Sequence, residues 1–399
     1  MNKRYPRSGN LFGKLTVLIL AALLFLPGCL AAPKQGEPGG KAPAVISVWH
    51  SFQGAQTQIL DTQVQKIMAA HPEVIIRTKS VPEEKFASLT FLAQAGGEGP
   101  DIFLTRREVL RQLYAEGALA PVVEFNSDAY APAVAQFRFG GKLFAQPWLT
   151  DVPLLYYRTD MVKVPPASMA DISANKNMAL LSSLDTSTLA AWWNGQGGQL
   201  WANGKPVVTD PANQTFLEQI LAWRNAKQLE VNPNALSLFA GGSAPYTIAW
   251  ASQAQILTKL NVPWGSVPLN ALTGGRPLPG PTWAVANSGI KTTGDMVPAI
   301  QTVEKALLSP EVEDAFVQAG YGMAAASSYY QGGFLNGNKD LLAQVSQSLA
   351  GAWALEGSAP EWKLFPLQDE AWASALAGSA TAAGALAAAQ AKAEELFAK

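Results

Sequence analysis

Trp49, His50 and Ser51 stand side by side where an alternating run, Ile46-Ser47-Val48, gives way to Gly54. Such a run reads as a strand that delivers polar and aromatic side chains to a loop. The chain has two histidines, so His50 is one of few candidates for a general base or a metal ligand. The other, His71, precedes Pro72 at the end of a helical pattern and reads as a surface cap. Base chemistry needs a nucleophile held beside it. The sequence carries no nucleophile elbow, zinc histidine pair or phosphate loop. A glycoside hydrolase would need two carboxylates across the scissile bond. That enzyme reading is kept as a minor alternative, and no catalytic residue is assigned. Paired tyrosines, Tyr156-Tyr157 or Tyr329-Tyr330, with a histidine and a carboxylate would suit ferric iron. Consecutive strand residues point to opposite faces, so Tyr156 and Tyr157 should diverge. No metal site and no cofactor are expected.

The remaining candidates favour binding. Thr105, Arg106 and Arg107 follow the short apolar run Asp101–Leu104, and Arg106 is placed to hydrogen-bond a ligand. Asp101 reads as a turn cap after Pro100. Asp151 and Asp185 are carboxylates able to take vicinal hydroxyls, as Arg106 can; Asp185 equally suits a helix cap. Of twelve tryptophans, Trp49, Trp148, Trp250, Trp283 and Trp372 fall at predicted strand ends or connections, and Trp193 in a helix opening onto the same side. Indole faces stack on the C–H faces of sugars while a polar rim serves the hydroxyls. The same rings equally suit core packing, because each buries a large area. Trp223, on a regular amphipathic helix, is assigned to core.

The elements that must position these residues alternate. Residues 55–72 have helical periodicity ended by Pro72, residues 74–81 are β-branched, residues 83–100 form an amphipathic helix closed by glycines, and residues 101–105 form a short strand before another helix. This β-α-β-α-β order predicts an α/β chain with mostly parallel sheets flanked by helices. Ligands of such sheets sit beyond the carboxyl ends of the strands. The loops after Val48 and Leu104 therefore share one crevice. Residues 140–162 break the alternation, and the extended stretch Val152–Arg158 is suited to cross between lobes.

The ends bound the rest. Lys3, Arg4, Arg7 and Lys14 precede an apolar run that closes at Cys29, the one cysteine of 399 residues. This predicts a signal peptide over 1–28 and lipidation of Cys29, which would anchor the protein to a membrane. Residues 29–43, rich in Pro, Gly and Ala, read as a flexible tether. Removing the leader's four basic residues from 29 Lys and Arg leaves 25 against 30 Asp and Glu, a formal charge of −5. No basic cluster remains, so nucleic acid is not an expected partner.

The ordered set of motifs resembles the extracellular solute-binding proteins of ABC importers, in their maltose-binding-protein-like, carbohydrate class. The residues that carry the likeness are "VWHSFQG", "FLAQAGGEGPDIF", "GKLFAQPWLTDVPLLYYRTDMV", "FAGGSAPYTIAWAS", "GGRPLPGPTWAVANSGIK" and "FPLQDEAWASALAG". The resemblance implies a two-lobed periplasmic-binding-protein fold of type II, with lobes joined by a hinge. The first lobe would take 44–149 and 287–326, the second 150–286 and 327–399. It implies a monomer outside the cytoplasm that binds a sugar or oligosaccharide between the lobes and delivers it to permease transmembrane subunits, without catalysis. Asp151 falls where the family places a ligand-facing acid. A ferric-iron or phosphorylated-polyol receptor is the alternative. One departure is the short stretch between Met161 and Met178, which loses most of a helix the family has there.

Overall fold

The computed structural model describes residues 42–123, 128–174, 179–181, 183–289, 294–332, 335 and 338–398. The expected leader, Cys29 and nearly all of the tether lie outside these residues.

Runs of β-branched and apolar side chains build β1 (Ala44–His50), β2 (Val74–Ser80) and β3 (Ile102–Arg106). Between them α1 (Ala55–Ala70) buries Leu60, Val64 and Ile67, four and three residues apart on one face. Next, α2 (Glu83–Ala95) buries Phe86 and Thr90, and α3 (Arg107–Ala115) follows β3 without a loop. β1 pairs in parallel with β2 on one side and β3 on the other. The parallel order requires the crossover helices that the sequence supplies.

β4 (Gln146–Thr150) and β5 (Pro153–Arg158) are separated by Asp151 and Val152 alone, yet they lie in different sheets. The second sheet is completed by β6 (Ala179–Leu181), β7 (Leu229–Val231), β8 (Tyr246–Trp250) and β9 (Trp264–Pro268), in the order β7-β6-β8-β5-β9. The chain returns through β10 (Trp283–Asn287), and the first sheet reads β11-β4-β10-β3-β1-β2, with β11 at Met323–Ala324. Because β10 pairs antiparallel with β3 along its whole length, it belongs to the first sheet. Residues 283–286, expected with the second lobe, thus pair within the first sheet.

Each sheet is mixed rather than mostly parallel. The pairs made by βαβ units are parallel. The pairs made by the crossing strands and their outer neighbours are antiparallel. Between Met161 and Met178 the described residues hold one short helix, Met169–Ala174, in keeping with the shortened segment.

Three apolar clusters hold these layers. The largest runs from Ile46, Val48 and Leu60 through Trp148 to Leu154 and Tyr156, so it is continuous across the crossing. A second packs the second sheet against α4 (Thr186–Gly195), α6 (Glu361–Leu376) and α7 (Ala382–Phe397), and α5 (Pro310–Ala319) adds Phe316 to the first. The third gathers Trp49, Phe86 and Phe103 between the first sheet and α2 and α3.

Candidate functional site

The carboxyl ends of β1 and β3 meet where the sequence places them. Ser51 donates its backbone N–H to Leu104 at 3.3 Å, and its Oγ lies 2.7 Å from Thr105 Oγ1. Thr105 is fully buried and acts as the backing for Ser51. Trp49 is buried in the third cluster, with Lys79 Nζ 4.0 Å from its ring. His50 leaves the strand on the other face and lies against Phe52, ring centroids 5.7 Å apart. It is 1% exposed, and its Nδ1 has no hydrogen-bond partner among the described residues. Burial, more than any other cause, pushes its pKa down to about 4. It is therefore an uncharged buried ring at neutral pH. A proton NMR titration should give a His50 midpoint near 4; a midpoint near the ordinary 6.5 would place the ring in water.

Beyond Ser51 the surface opens into a cavity of about 430 Å³. Ser51 and Gln53 line it from the loop after β1, Gln56 from the first turn of α1, Glu83 and Glu84 from the start of α2, Arg106 from the end of β3, and Trp283 from β10. Trp283 and Arg106 are cross-strand partners in the β10–β3 ladder. That register puts the guanidinium carbon 5.7 Å from the indole centroid. The indole packs on Phe52 at 4.2 Å and is 8% exposed. Arg106 donates from Nε and Nη2 to the two carboxylate oxygens of Glu83. Those hydrogen bonds, first among the causes, raise the Arg106 pKa. Glu83 follows Pro82 in the first turn of α2, where a carboxylate is favoured by the helix dipole.

In the first sheet β3, β10 and β4 are successive neighbours, and the change of sheet follows β4 at Asp151. Asp151 is turned inward, accepting from the N–H of Val152 at 2.9 Å and of Ser252 at 3.2 Å. Its own carbonyl accepts from the N–H of Gly280 at 2.7 Å, so one residue ties three segments at the crossing. Burial raises its pKa to about 7, against the hydrogen bonds that lower it. Trp250 is half-buried over Gly280, where a Cβ would lie 2.7 Å from Cζ3 of the indole. Glycine at 280 is what lets the ring rest on the backbone.

Several expected site residues are packed in the core or cap a helix, outside the lining of this cavity. Trp148 is fully buried against Phe52 and Phe316. Trp193 is fully buried and donates Nε1–H to Asn213 Oδ1 at 2.8 Å. Trp372 is fully buried against Phe216. Trp49 joins them. Trp49 and Trp148 stand on strands of the first sheet, and Trp193 and Trp372 on helix faces turned to the second core; in each case the indole buries a large apolar area. Asp185 caps α4, accepting from Thr188 N at 2.8 Å and from the Ser187 hydroxyl at 2.6 Å. Of the expected set, Ser51, Arg106 and Trp283 share the cavity.

Sequence reasoning missed Gln53, Gln56, Glu83 and Glu84. The signal was present, since Gln53 and Gln56 follow Ser51 in the loop and first helical turn after β1, and the glutamates follow the carboxyl end of β2. It also missed Trp362, whose ring lies 3.5 Å beneath the Arg107 guanidinium and brings α6 against the end of β3. Among the described residues no group of three or more His, Cys, Asp or Glu side chains is arranged to hold a metal ion.

A profile of the family described as "Bacterial extracellular solute-binding protein" matches residues 62–329, about two thirds of the chain. The maltotriose-binding protein of Pyrococcus abyssi (strain GE5 / Orsay) is 24% identical over 132 residues, 32% of this chain and 29% of that protein. The sn-glycerol-3-phosphate-binding periplasmic protein UgpB of Escherichia coli (strain K12) is 24% identical over 216 residues, 48% of this chain and 49% of that protein. The chain thus matches half or less of the length of these relatives. The GacH receptor of Streptomyces glaucescens GLA.O, solved unliganded and with acarbose, has a TM-score of 0.73 at 18% identity, covering 90% of this chain and all of that one. The maltose/maltodextrin-binding domain MalE of Bdellovibrio bacteriovorus, bound to maltotriose, has a TM-score of 0.70 at 16% identity, covering 89% of this chain and all of that one. At such identities the likeness is one of fold, and it is the two-lobed type II binding-protein fold that the sequence implied. With two thirds of its length matched, the chain is a member of the bacterial extracellular solute-binding protein family.

Proposed function

We propose that this protein is the extracytoplasmic receptor of an ABC importer for a sugar or oligosaccharide, and that it has no catalytic activity. The observation that carries the reading is the cavity at the ends of β1, β3 and β10. It offers the rim of an indole, two primary amides, two carboxylates, a hydroxyl and a guanidinium. That combination suits a ligand with C–H faces and many hydroxyls. The ligands of similar proteins, maltotriose and acarbose among them, are of this kind.

The two sheets are the cores of two lobes, and the segments at Asp151, Gly280 and Trp283 are the crossings between them. The ligand bridges the lobes and shifts the population toward a closed form, which the permease subunits recognise. The basic leader, the apolar run and Cys29 support anchoring of the mature chain by a lipidated cysteine. The receptor acts as a monomer.

Calorimetric titration of the full chain with maltotriose tests the reading. Saturable binding, accompanied by a rise in the unfolding temperature, is the expected result. Lack of binding to maltotriose and to other neutral oligosaccharides would remove the sugar reading. Turnover of the glycan would point to an enzyme instead. A second reading, a receptor for a phosphorylated polyol, is favoured by the similarity to UgpB and by an arginine in the cavity.

A further inference from the structure

We propose that Glu83 sets the selectivity of the cavity, holding Arg106 so that uncharged hydroxylated solutes enter and phosphorylated ones are refused. The inference rests on the reading that this cavity receives the transported solute.

Arginine recognises a phosphate by presenting two parallel N–H groups, and the Nε–Nη2 edge is one that does so. Here that edge is occupied by the two oxygens of Glu83. The pair is neutral, and Glu84 adds a further negative charge to the same lining. The three charged groups therefore sum to −1. A phosphomonoester carries between one and two negative charges near pH 7. It would meet like charge at Glu84 and would have to displace Glu83 from the guanidinium. A neutral glycan meets no such opposition. Its hydroxyls can donate to both carboxylates while Arg106 keeps its partner.

The pair is poorly explained as a prop for the fold. Its side chains are 36% and 30% exposed, and ion pairs so placed contribute little to stability. Arg106 is also held without Glu83, because it is the cross-strand partner of Trp283 and lies over that ring. Removing the carboxylate should leave a guanidinium in the cavity with its fork open.

The test compares wild type, Glu83→Gln and Glu84→Gln as full chains, titrated with maltotriose and with sn-glycerol-3-phosphate. Glu84→Gln makes the same change in net charge without freeing Arg106. Wild type is expected to bind maltotriose and not the phosphate. Glu83→Gln should gain phosphate affinity by about ten- to a hundredfold, the range one charge-assisted hydrogen-bonded contact supplies. Glu84→Gln should gain less than about threefold, as a charge without a bidentate contact does. If wild type binds maltotriose but Glu83→Gln gains nothing, or Glu84→Gln gains as much, the selectivity inference falls and the sugar reading stands. If wild type binds neither maltotriose nor another neutral oligosaccharide, or prefers the phosphate, the reading beneath it falls as well. Glu83→Ala, which removes the carboxylate by a different route, repeats the comparison if the glutamine variant is poorly folded.

Discussion

Truncating Trp283 to alanine is expected to weaken maltotriose binding at least about thirtyfold, the effect of removing an aromatic anchor of ~2 kcal/mol. The indole is the one large apolar surface in the cavity lining. It is fixed from three directions: by Phe52 beneath it, by the Arg106 guanidinium over it, and by the β10–β3 ladder that sets its register. Because it is also 8% exposed, the truncation leaves a hole. Loss of the buried ring should cost about 3–5 kcal/mol of fold stability. The two effects must be separated. Trp372→Ala removes a fully buried indole from the second core, against Phe216 at 5.2 Å, away from the cavity. It should lose comparable stability in urea unfolding while its folded fraction keeps wild-type affinity. Trp283→Phe should fall between, since a ring of smaller area still covers Phe52. Calorimetry at low temperature, where each variant is folded, reads affinity directly. Wild-type affinity in folded Trp283→Ala would take Trp283 out of the site.

Local sequence encodes the period of each element but not what covers its faces. The β-α-β-α-β opening was legible because each helix and strand carries its own period. The break at Gly140, Gly141 and Pro147 was legible, but the stretch 152–158 expected to cross lies in the second sheet from Pro153 on, and the change of sheet falls at Asp151 and Val152. The tryptophans were not legible. Period two assigns neighbours such as Trp49 and His50 to opposite faces, but it does not say which face is covered. Here helices cover both, so both residues are buried and the cavity-lining group is the next one, Ser51. The partnership of Trp283 with Arg106 joins residues far apart in the chain, and no local signal records such a pairing. The same long-range register made both sheets mixed. Glu83 and Glu84 were passed over because acids in a first helical turn already have a reason to be there. Their place at the end of β2, beside β1, was the better clue.

Replacing Asp151 by asparagine is expected to remove a pH dependence from fold stability, and the sign follows from where the proton sits. In the unfolded chain the carboxyl titrates near 3.8; buried at the crossing it titrates near 7. Below pH 3.8 both states are protonated and the group contributes nothing. Between those values the folded state keeps a proton that the unfolded chain has released. Stability therefore falls as pH rises through this window, by on the order of 4 kcal/mol once pH exceeds 7. His50 acts in the opposite sense. Its folded pKa near 4 lies below the ordinary 6.5, so it adds stability as pH rises across that lower range. Asp369 has the same sign as Asp151, with burial raising it to about 6. Wild-type curves thus mix opposing slopes, and the difference between variant and wild type isolates Asp151. Asparagine keeps an Oδ1 acceptor for the N–H groups of Val152 and Ser252, so the three tied segments stay together. The gain in stability of Asp151→Asn over wild type should be near zero at pH 4 and grow to its full value by pH 8, measured by urea unfolding at each pH. A difference that stays flat across the range would mean that Asp151 is ionised in the folded state throughout. Glu313 would then be the carboxyl to replace, since burial holds its pKa well above the ordinary value and its Oε2 has no hydrogen-bond partner among the described residues.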